Sequence, residues 1–86
     1  MAEVKRVIDG GTFETISGQR IRLEGVDAPE KGKRGYAKAT EKLASLVGNK
    51  NVLVDPVGVM YGRIVAKVEI DGKSVNKSMQ RYLNRK

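Results

Sequence analysis

The stretch IRLEGVDAPE, residues 21–30, joins an alternating β-strand to a charged loop. In an extended backbone, Ile21 and Leu23 point to one side, and the charged residue that follows each of them points to the other. Pro29 disfavours helical geometry at the residue before it, so the chain leaves the strand extended and enters a loop. The stretch therefore predicts a strand with one buried face, whose end presents a guanidinium and two carboxylates at fixed positions. A merely solvated strand face is the alternative.

The sequence on either side of this stretch predicts three strands, a helix, two strands and a terminal helix. The strands are expected over residues 4–8, 12–16, 19–25, 51–54 and 64–70, and the helices over residues 36–47 and from residue 76 onward. The helix at 36–47 is the clearest element, because its apolar residues recur at helical spacing and Gly48 follows as a stop signal. Asp55-Pro56 is expected to end the fourth strand and begin an apolar connection, and Asn76 is expected to cap the last helix.

A small antiparallel sheet leaves two edge strands exposed, and closing the sheet into a barrel removes them. The order of elements therefore predicts a mainly β fold with helices, of the α+β class. We expect a five-stranded OB-type β-barrel with one helix between strands three and four and a short C-terminal helix. With 86 residues, 40% of them hydrophobic, the chain is expected to form a single domain over residues 1–86 with one modest core.

The composition excludes several kinds of chemistry. The chain has no cysteine and no histidine, which rules out disulfides, thiolate metal sites, ordinary zinc sites, imidazole catalysis and serine-type triads. Carboxylates, guanidinium and ammonium groups, tyrosine, and a metal ion held by oxygen atoms remain. The net charge of +7 favours a polyanionic partner, nucleic acid above all. Because the sequence shows no signal-peptide core and no membrane-spanning run, we expect a cytoplasmic protein without membrane association.

Arg22 and Arg63 have the same relation to their strands. Each has the opposite parity to its apolar neighbours, so both are expected to point away from the core and to approach the same surface. Two guanidinium groups that converge on one anion form a phosphate clamp, because each donates two parallel hydrogen bonds. Two surface arginines in unrelated ion pairs are the alternative. Tyr61, just before Gly62-Arg63, is expected to stack on a base or sugar, or else to cover the barrel as an amphipathic lid.

The acidic residues Asp27 and Glu30 lie on either side of Pro29. One of them is expected to hold a divalent cation and the other to activate a water molecule for attack on phosphorus. Two loop acids exposed to solvent are the alternative. A basic loop follows, whose cations are typical of contacts with a nucleic-acid backbone: Lys31, Lys33 and Arg34.

Five short motifs follow one another along the chain. They are Ile8-Asp9-Gly10-Gly11-Thr12, the sequence RLEGVDAPE at residues 22–30, Tyr61-Gly62-Arg63 with Ala66, Asp71-Gly72, and Val75-Asn76. In this order and spacing they resemble the staphylococcal nuclease-like (thermonuclease) family, and the matches cover almost the whole chain. The resemblance implies an OB-type barrel and calcium-dependent hydrolysis of DNA and RNA phosphodiester bonds that leaves 3′-phosphates.

The resemblance also implies roles for individual residues. Arg22 and Arg63 correspond to the two arginines that grip the phosphate, and Glu30 corresponds to the general base for the attacking water. The other correspondences concern the metal and the nucleotide: Asp27 and the backbone carbonyl of Ala28 as calcium ligands, Asp9 as an acid near the metal, and Tyr61 beside the bound nucleotide.

Gly11 departs from the family pattern, which has a second calcium-ligand aspartate at this position. The resemblance therefore predicts a nuclease-like phosphodiesterase with a weakened site for Ca²⁺, Mg²⁺ or Mn²⁺. Its substrate is expected to be single-stranded or flexible DNA or RNA, and the protein is expected to be a monomer. A catalytically inactive OB-fold module that binds nucleic acid is the first alternative, and a protein-interaction scaffold is the second.

Overall fold

Alternating apolar residues and glycine-containing turns give the chain six strands and two helices over residues 1–84, the part that the computed structural model describes. The elements are β1 (Ala2–Asp9), β2 (Thr12–Thr15), β3 (Arg20–Leu23), α1 (Tyr36–Val47), β4 (Asn51–Met60), β5 (Arg63–Ile70), β6 (Lys73–Ser74) and α2 (Val75–Leu83). The predicted order of elements is confirmed, with the two-residue strand β6 added before the last helix. Within this part of the chain, no helix is long and apolar enough to cross a membrane.

Five of the strands close into a ring. β1, β2 and β3 form an antiparallel meander, and β4 and β5 form an antiparallel hairpin. The two groups are joined at both sides, because β1 pairs with β4 and β3 pairs in parallel with β5. With α1 between β3 and β4 and with β6 added beside β5, this topology confirms the predicted α+β, OB-type fold.

The core lies inside the ring. Phe13 of β2, Ile21 of β3 and Ala66 of β5 are almost completely buried, and the helices add Leu43 and Met79 to the same cluster. Burying each large apolar side chain stabilises the fold by about 1.5–3 kcal/mol. Because successive residues of a strand alternate between its faces, this burial directs Glu14, Arg22 and Lys67, which follow Phe13, Ile21 and Ala66, away from the core.

The strand β4 is longer than the sequence predicts. Asp55-Pro56 was expected to end it, but β4 continues to Met60, so the prediction of an apolar connection at residues 57–60 is wrong. The pairing with β5 shifts register between Pro56 and Gly58. A bulge of this kind accommodates the missing N–H of a proline. The hairpin then turns at Tyr61-Gly62, where both residues have positive φ, 53° and 75°.

The two helices differ in how well the sequence predicts them. α1 spans the predicted residues, and the N–H of Gly48 donates to the carbonyl of Ala44 at its end. The cap of α2 was predicted wrongly. Ser74 is the N-cap, since its side chain accepts a hydrogen bond from the N–H of Lys77 at 3.1 Å, whereas Asn76 lies inside the helix and is buried.

Candidate functional site

Arg22 and Arg63 lie on the same outward face of the paired strands β3 and β5. In the parallel register, Ile21 is opposite Ile64, Arg22 is opposite Val65, and Leu23 is opposite Ala66. Ile21 and Ala66 are buried in the ring, so Arg22 and Val65 point outward. Arg63 lies two residues before Val65 and shares its face. Diagonal neighbours of this kind have Cα atoms about 7–8 Å apart, within reach of two long side chains that bind one anion.

The guanidinium of Arg22 is held against the turn between β1 and β2. Its Nη1 donates to the carbonyl of Leu23 at 3.0 Å, and the residue is half-buried. A Cβ atom placed on Gly11 would lie only 2.7 Å from the same Nη1 and 3.5 Å from the carbonyl oxygen of Val26. Gly11 therefore leaves the space that the guanidinium of Arg22 occupies.

The predicted metal-binding residues lie around the same turn. One carboxylate oxygen of Asp9 accepts a hydrogen bond from the N–H of Gly11 at 2.8 Å. The loop that carries Asp27 packs on this turn as well, because a Cβ atom on Gly10 would lie 3.0 Å from the Cβ of Ala28. The structure thus brings together Asp9, the guanidinium of Arg22 and the loop that bears Asp27 and the carbonyl of Ala28.

The other predicted site residues are exposed, and within residues 1–84 no side-chain hydrogen bond or salt bridge joins them to this cluster. They are Glu30, Lys31, Lys33, Arg34, Tyr61 and Arg63. Over residues 1–84, one salt bridge forms, between Arg6 and Glu14. Within this part of the chain, Arg22 and Arg63 therefore form no ion pair with a carboxylate. Tyr61 is 94% exposed at the tip of the β4–β5 hairpin, so the lid alternative is wrong. The outward placement of the arginines is confirmed, while the role of Glu30 stays a prediction.

A buried amide that the sequence reading placed at a helix cap supports the site. The Oδ1 atom of Asn76 accepts the N–H of Val68 at 2.8 Å, and its Nδ2 donates to the carbonyls of Glu24 at 2.9 Å and Ala66 at 3.1 Å. Gln80, one helical turn later, donates to the carbonyl of Gly25 at 3.0 Å. α2 thereby fixes the turn from which the loop with Asp27 and Glu30 leaves β3. The sequence did contain a signal for this buried role, because Asn76 lies between apolar residues on the buried face of α2.

A second support lies at the start of α1. The hydroxyl of Tyr36 donates to the carbonyl of Ile8 at 2.9 Å. This bond ties the first residue of α1 to the end of β1, directly before Asp9. The helix therefore holds in place both the basic loop that precedes it and the turn that carries Asp9 and Gly11.

The oxygen donors at this site do not fit a tight calcium site. Ca²⁺ takes six to eight oxygen ligands, with several carboxylates among them in high-affinity sites. Among residues 1–84, no group of three acidic side chains is placed to hold a metal ion. Asp9 is engaged by the N–H of Gly11, and the guanidinium of Arg22 adjoins the space into which a side chain at position 11 would extend. Asp27 and the carbonyl of Ala28 are left as protein donors, so a cation bound there would take most of its oxygen ligands from water and would bind weakly.

The fold and the site define a small OB-like domain with two arginines on one outward face of its ring. Residues 20–82 match the family model described as staphylococcal nuclease homologue, and the chain belongs to this family.

Similar proteins agree with this assignment. An uncharacterized endonuclease of Escherichia coli O157:H7 is 41% identical over 87 residues, which cover 91% of this chain and 54% of that protein. Protein ParB of Escherichia coli is 34% identical over 82 residues, which cover 91% of this chain and 46% of that protein. Micrococcal nuclease of Shigella flexneri is 36% identical over 70 residues, which cover 77% of this chain and 40% of that protein. The chain therefore spans about half the length of the relatives that it matches.

Proposed function

We propose that this domain is a nuclease that hydrolyses phosphodiester bonds of single-stranded or flexible DNA or RNA. The register between β3 and β5 carries the proposal, because it directs Arg22 and Arg63 to one outward face. Membership of the nuclease family and the relatives named as endonucleases support it. The net charge of +7 suits the polyanionic substrate.

In the proposed mechanism, the two arginines act on the phosphate. Each guanidinium donates hydrogen bonds to the non-bridging oxygens of the phosphate. These bonds strengthen as negative charge develops on those oxygens during the attack. Glu30 accepts a proton from the attacking water as the new bond to phosphorus forms. The bond from phosphorus to the leaving sugar oxygen breaks, and that oxygen takes a proton from solvent. By the family resemblance, the phosphate stays on the 3′ side.

We further propose that this activity is weak, because position 11 lacks the carboxylate of the family pattern. A unit charge at about 4 Å contributes roughly 4 kcal/mol at an effective dielectric constant near 20, before desolvation is subtracted. Since about 1.4 kcal/mol corresponds to a factor of ten, the loss of one such ligand lowers metal affinity about 100- to 1,000-fold. Ca²⁺, Mg²⁺ and Mn²⁺ are all candidates for the few oxygen donors that remain.

The proposal is tested with a labelled single-stranded oligonucleotide and each of the three metals. We expect slow cleavage by the parent and a loss of at least about 100-fold in Arg63→Ala, because one oxyanion-stabilising donor contributes about that much. Lys73→Ala removes an exposed cation from β6 and is the matched control. Equal cleavage by Arg63→Ala and Lys73→Ala would show that the arginine pair is not the catalytic site.

A second candidate function is a nucleic-acid-binding module without catalysis. The observation in its favour is that the guanidinium of Arg22 lies where a side chain at position 11 would extend, at the position where the family has a metal-ligand carboxylate. In the same assay, this function predicts retained oligonucleotide binding with no product at any metal concentration. A protein that binds the oligonucleotide and never cleaves it would replace the first proposal with this one.

A further inference from the structure

A row of charged residues crosses the outer face of the ring. Arg6 of β1 is opposite Glu14 of β2, and Glu14 is opposite Arg20 of β3. The parallel register that places Ile21 opposite Ile64 also places Arg20, one residue earlier, beside Arg63 of β5. Four adjacent strands of the closed ring therefore present charged side chains in one row that follows the curve of its surface, and three of the four charges are positive.

The cations of this row differ in their partners. Nε of Arg6 donates to Oε1 of Glu14 at 2.7 Å, and the side chain of Glu14 is only 17% exposed. The Arg6 hydrogen bond lowers the pKa of Glu14, and the charges of Arg6, Lys5 and Arg20 act in the same direction against desolvation. Glu14 is therefore anionic at neutral pH and holds Arg6. Within residues 1–84, Arg20 and Arg63 form no salt bridge, and both are exposed.

The spacing of the row suits a phosphate backbone. Neighbouring strands lie about 4.8 Å apart, so the row extends about 14 Å from β5 to β1. Arg22 lies two residues after Arg20 on the same face of β3, about 6.6 Å further along the strand. A nucleic-acid strand that leaves the pair Arg22 and Arg63 and crosses the ring toward β1 therefore meets Arg20 next.

We propose that Arg20 is a third phosphate-binding residue and that Arg63 and Arg20 form a track for a single-stranded nucleic-acid backbone, which Arg6 would extend if Glu14 did not hold its guanidinium. This inference rests on the proposed function, since it extends the same surface. Single-stranded nucleic acid is the favoured occupant, because the row is cationic and continuous with the arginine pair that is proposed to hold the scissile phosphate.

The first test is the binding of a fluorescently labelled oligodeoxythymidylate of about fifteen nucleotides, in EDTA, over a series of salt concentrations. We expect Arg20→Gln to weaken binding about tenfold at low salt, as the loss of a charge-assisted hydrogen bond does. The slope of log K against log salt should become shallower by about 0.7, the value for one phosphate contact with a single strand. Lys73→Gln is the control: it removes the same charge from β6, opposite Ile70 at the far end of β5 and about 23 Å along that strand from Arg63.

The second test releases Arg6. Glu14→Gln removes the negative charge and frees the guanidinium, so binding should strengthen severalfold and the salt slope should steepen. Glu41→Gln on α1 makes the same change of net charge at an exposed position and should have a much smaller effect. Equal behaviour of Arg20→Gln and Lys73→Gln, or of Glu14→Gln and Glu41→Gln, would overturn the track.

The proposed track and the proposed nuclease activity can be disproved independently of each other. Both tests above are binding measurements without metal, whereas the nuclease proposal depends on cleavage by the parent and its loss in Arg63→Ala. A parent that does not cleave, together with a specific effect of Arg20→Gln, retains the track and removes the nuclease. Cleavage that depends on Arg63, together with no specific effect of Arg20→Gln, retains the nuclease and removes the track.

Discussion

Gly11 and the guanidinium of Arg22 share one small space at the start of β2. A Cβ atom on Gly11 would come within 2.7 Å of Nη1, the mobile end of a long side chain, so a substitution displaces the guanidinium rather than the backbone. The site therefore has a cation next to the position where the family pattern has an anionic ligand. This arrangement favours binding of a phosphate over binding of a metal ion in the space beside position 11, because the group that occupies this space is a cation and the carboxylate of Asp9 already accepts the N–H of Gly11.

The substitution Gly11→Asp tests this competition. In EDTA, the new carboxylate should pair with Arg22 and weaken oligonucleotide binding several-fold, because it competes with phosphate for the same donors. Added Ca²⁺ should reverse this loss and increase cleavage, because the ion then has a second carboxylate ligand. Binding is measured by fluorescence anisotropy and cleavage on gels.

Two controls separate charge from size in this experiment. Gly11→Ala displaces the guanidinium without adding charge, and Ala44→Asp adds the same charge at an exposed position of α1. If Gly11→Asp binds the oligonucleotide in EDTA as tightly as Ala44→Asp does, Arg22 does not contact the nucleic acid from this position.

At the scale of single elements, α2 acts as a clamp on the site rather than as a cover of the core alone. The amide of Asn76 bonds both to β5, through Val68 and Ala66, and to the turn after β3, through Glu24. A single side chain thus holds together the two strands that carry Arg22 and Arg63. We therefore expect substitutions in α2 to change the positions of Arg22 and Arg63, even where the substituted residue does not contact nucleic acid.

The substitution Asn76→Ala should destabilise the fold even though alanine is the better helix former. It leaves the buried N–H of Val68 unpaired, and each such group costs about 1–3 kcal/mol. We therefore expect a lower urea midpoint and loss of hydrogen-exchange protection at the amide of Val68. Asn51→Ala, at an exposed position of β4, is the matched control. Unchanged protection at Val68 in Asn76→Ala would show that this hydrogen bond does not hold the strand.

α1 and β4 show which elements a local sequence pattern determines. The spacing of Ala39, Leu43 and Val47 repeats within one helix, so the sequence predicted the bounds of α1 correctly. Pro56 was read as a strand end, but its missing N–H is harmless at a bulge, and that bulge exists only through the pairing with β5. The true role of Asn76 also depended on partners that are distant in sequence.

Some features of the candidate site also follow from a local sequence pattern, whereas others depend on the pairing of distant strands. The parity of Arg22 and Arg63 within their own strands predicted that both point outward, and the structure confirms this. Arg20 has the same parity as Arg22, yet its neighbours Glu14 and Arg63 come from two different strand pairings. No local pattern contains that register, so the row across the ring could not be predicted from the sequence. The roles of the loop acids Asp27 and Glu30 also stay predictions, because over residues 1–84 neither side chain forms a hydrogen bond or salt bridge that fixes its position.

At the scale of the whole molecule, the core and the arginine face are the two sides of the same strands. Phe13 and Ile21 fill the ring from β2 and β3, and the next residue on each strand faces outward. β3 and β5 close the ring through three residue pairs, and the same pairs align Arg22 with the face of Arg63. Binding of nucleic acid and folding are therefore expected to form one cooperative unit.

The substitution Phe13→Ala tests this unity. Replacing a fully buried phenylalanine costs about 3–5 kcal/mol, a large part of the 5–15 kcal/mol that stabilises a typical domain. We expect a much lower urea midpoint by circular dichroism, with oligonucleotide binding lost in the same transition. Phe13→Leu keeps most of the volume and should cost less than about 1.5 kcal/mol. Binding that disappears well before the secondary structure would show that the arginine face opens independently of the ring.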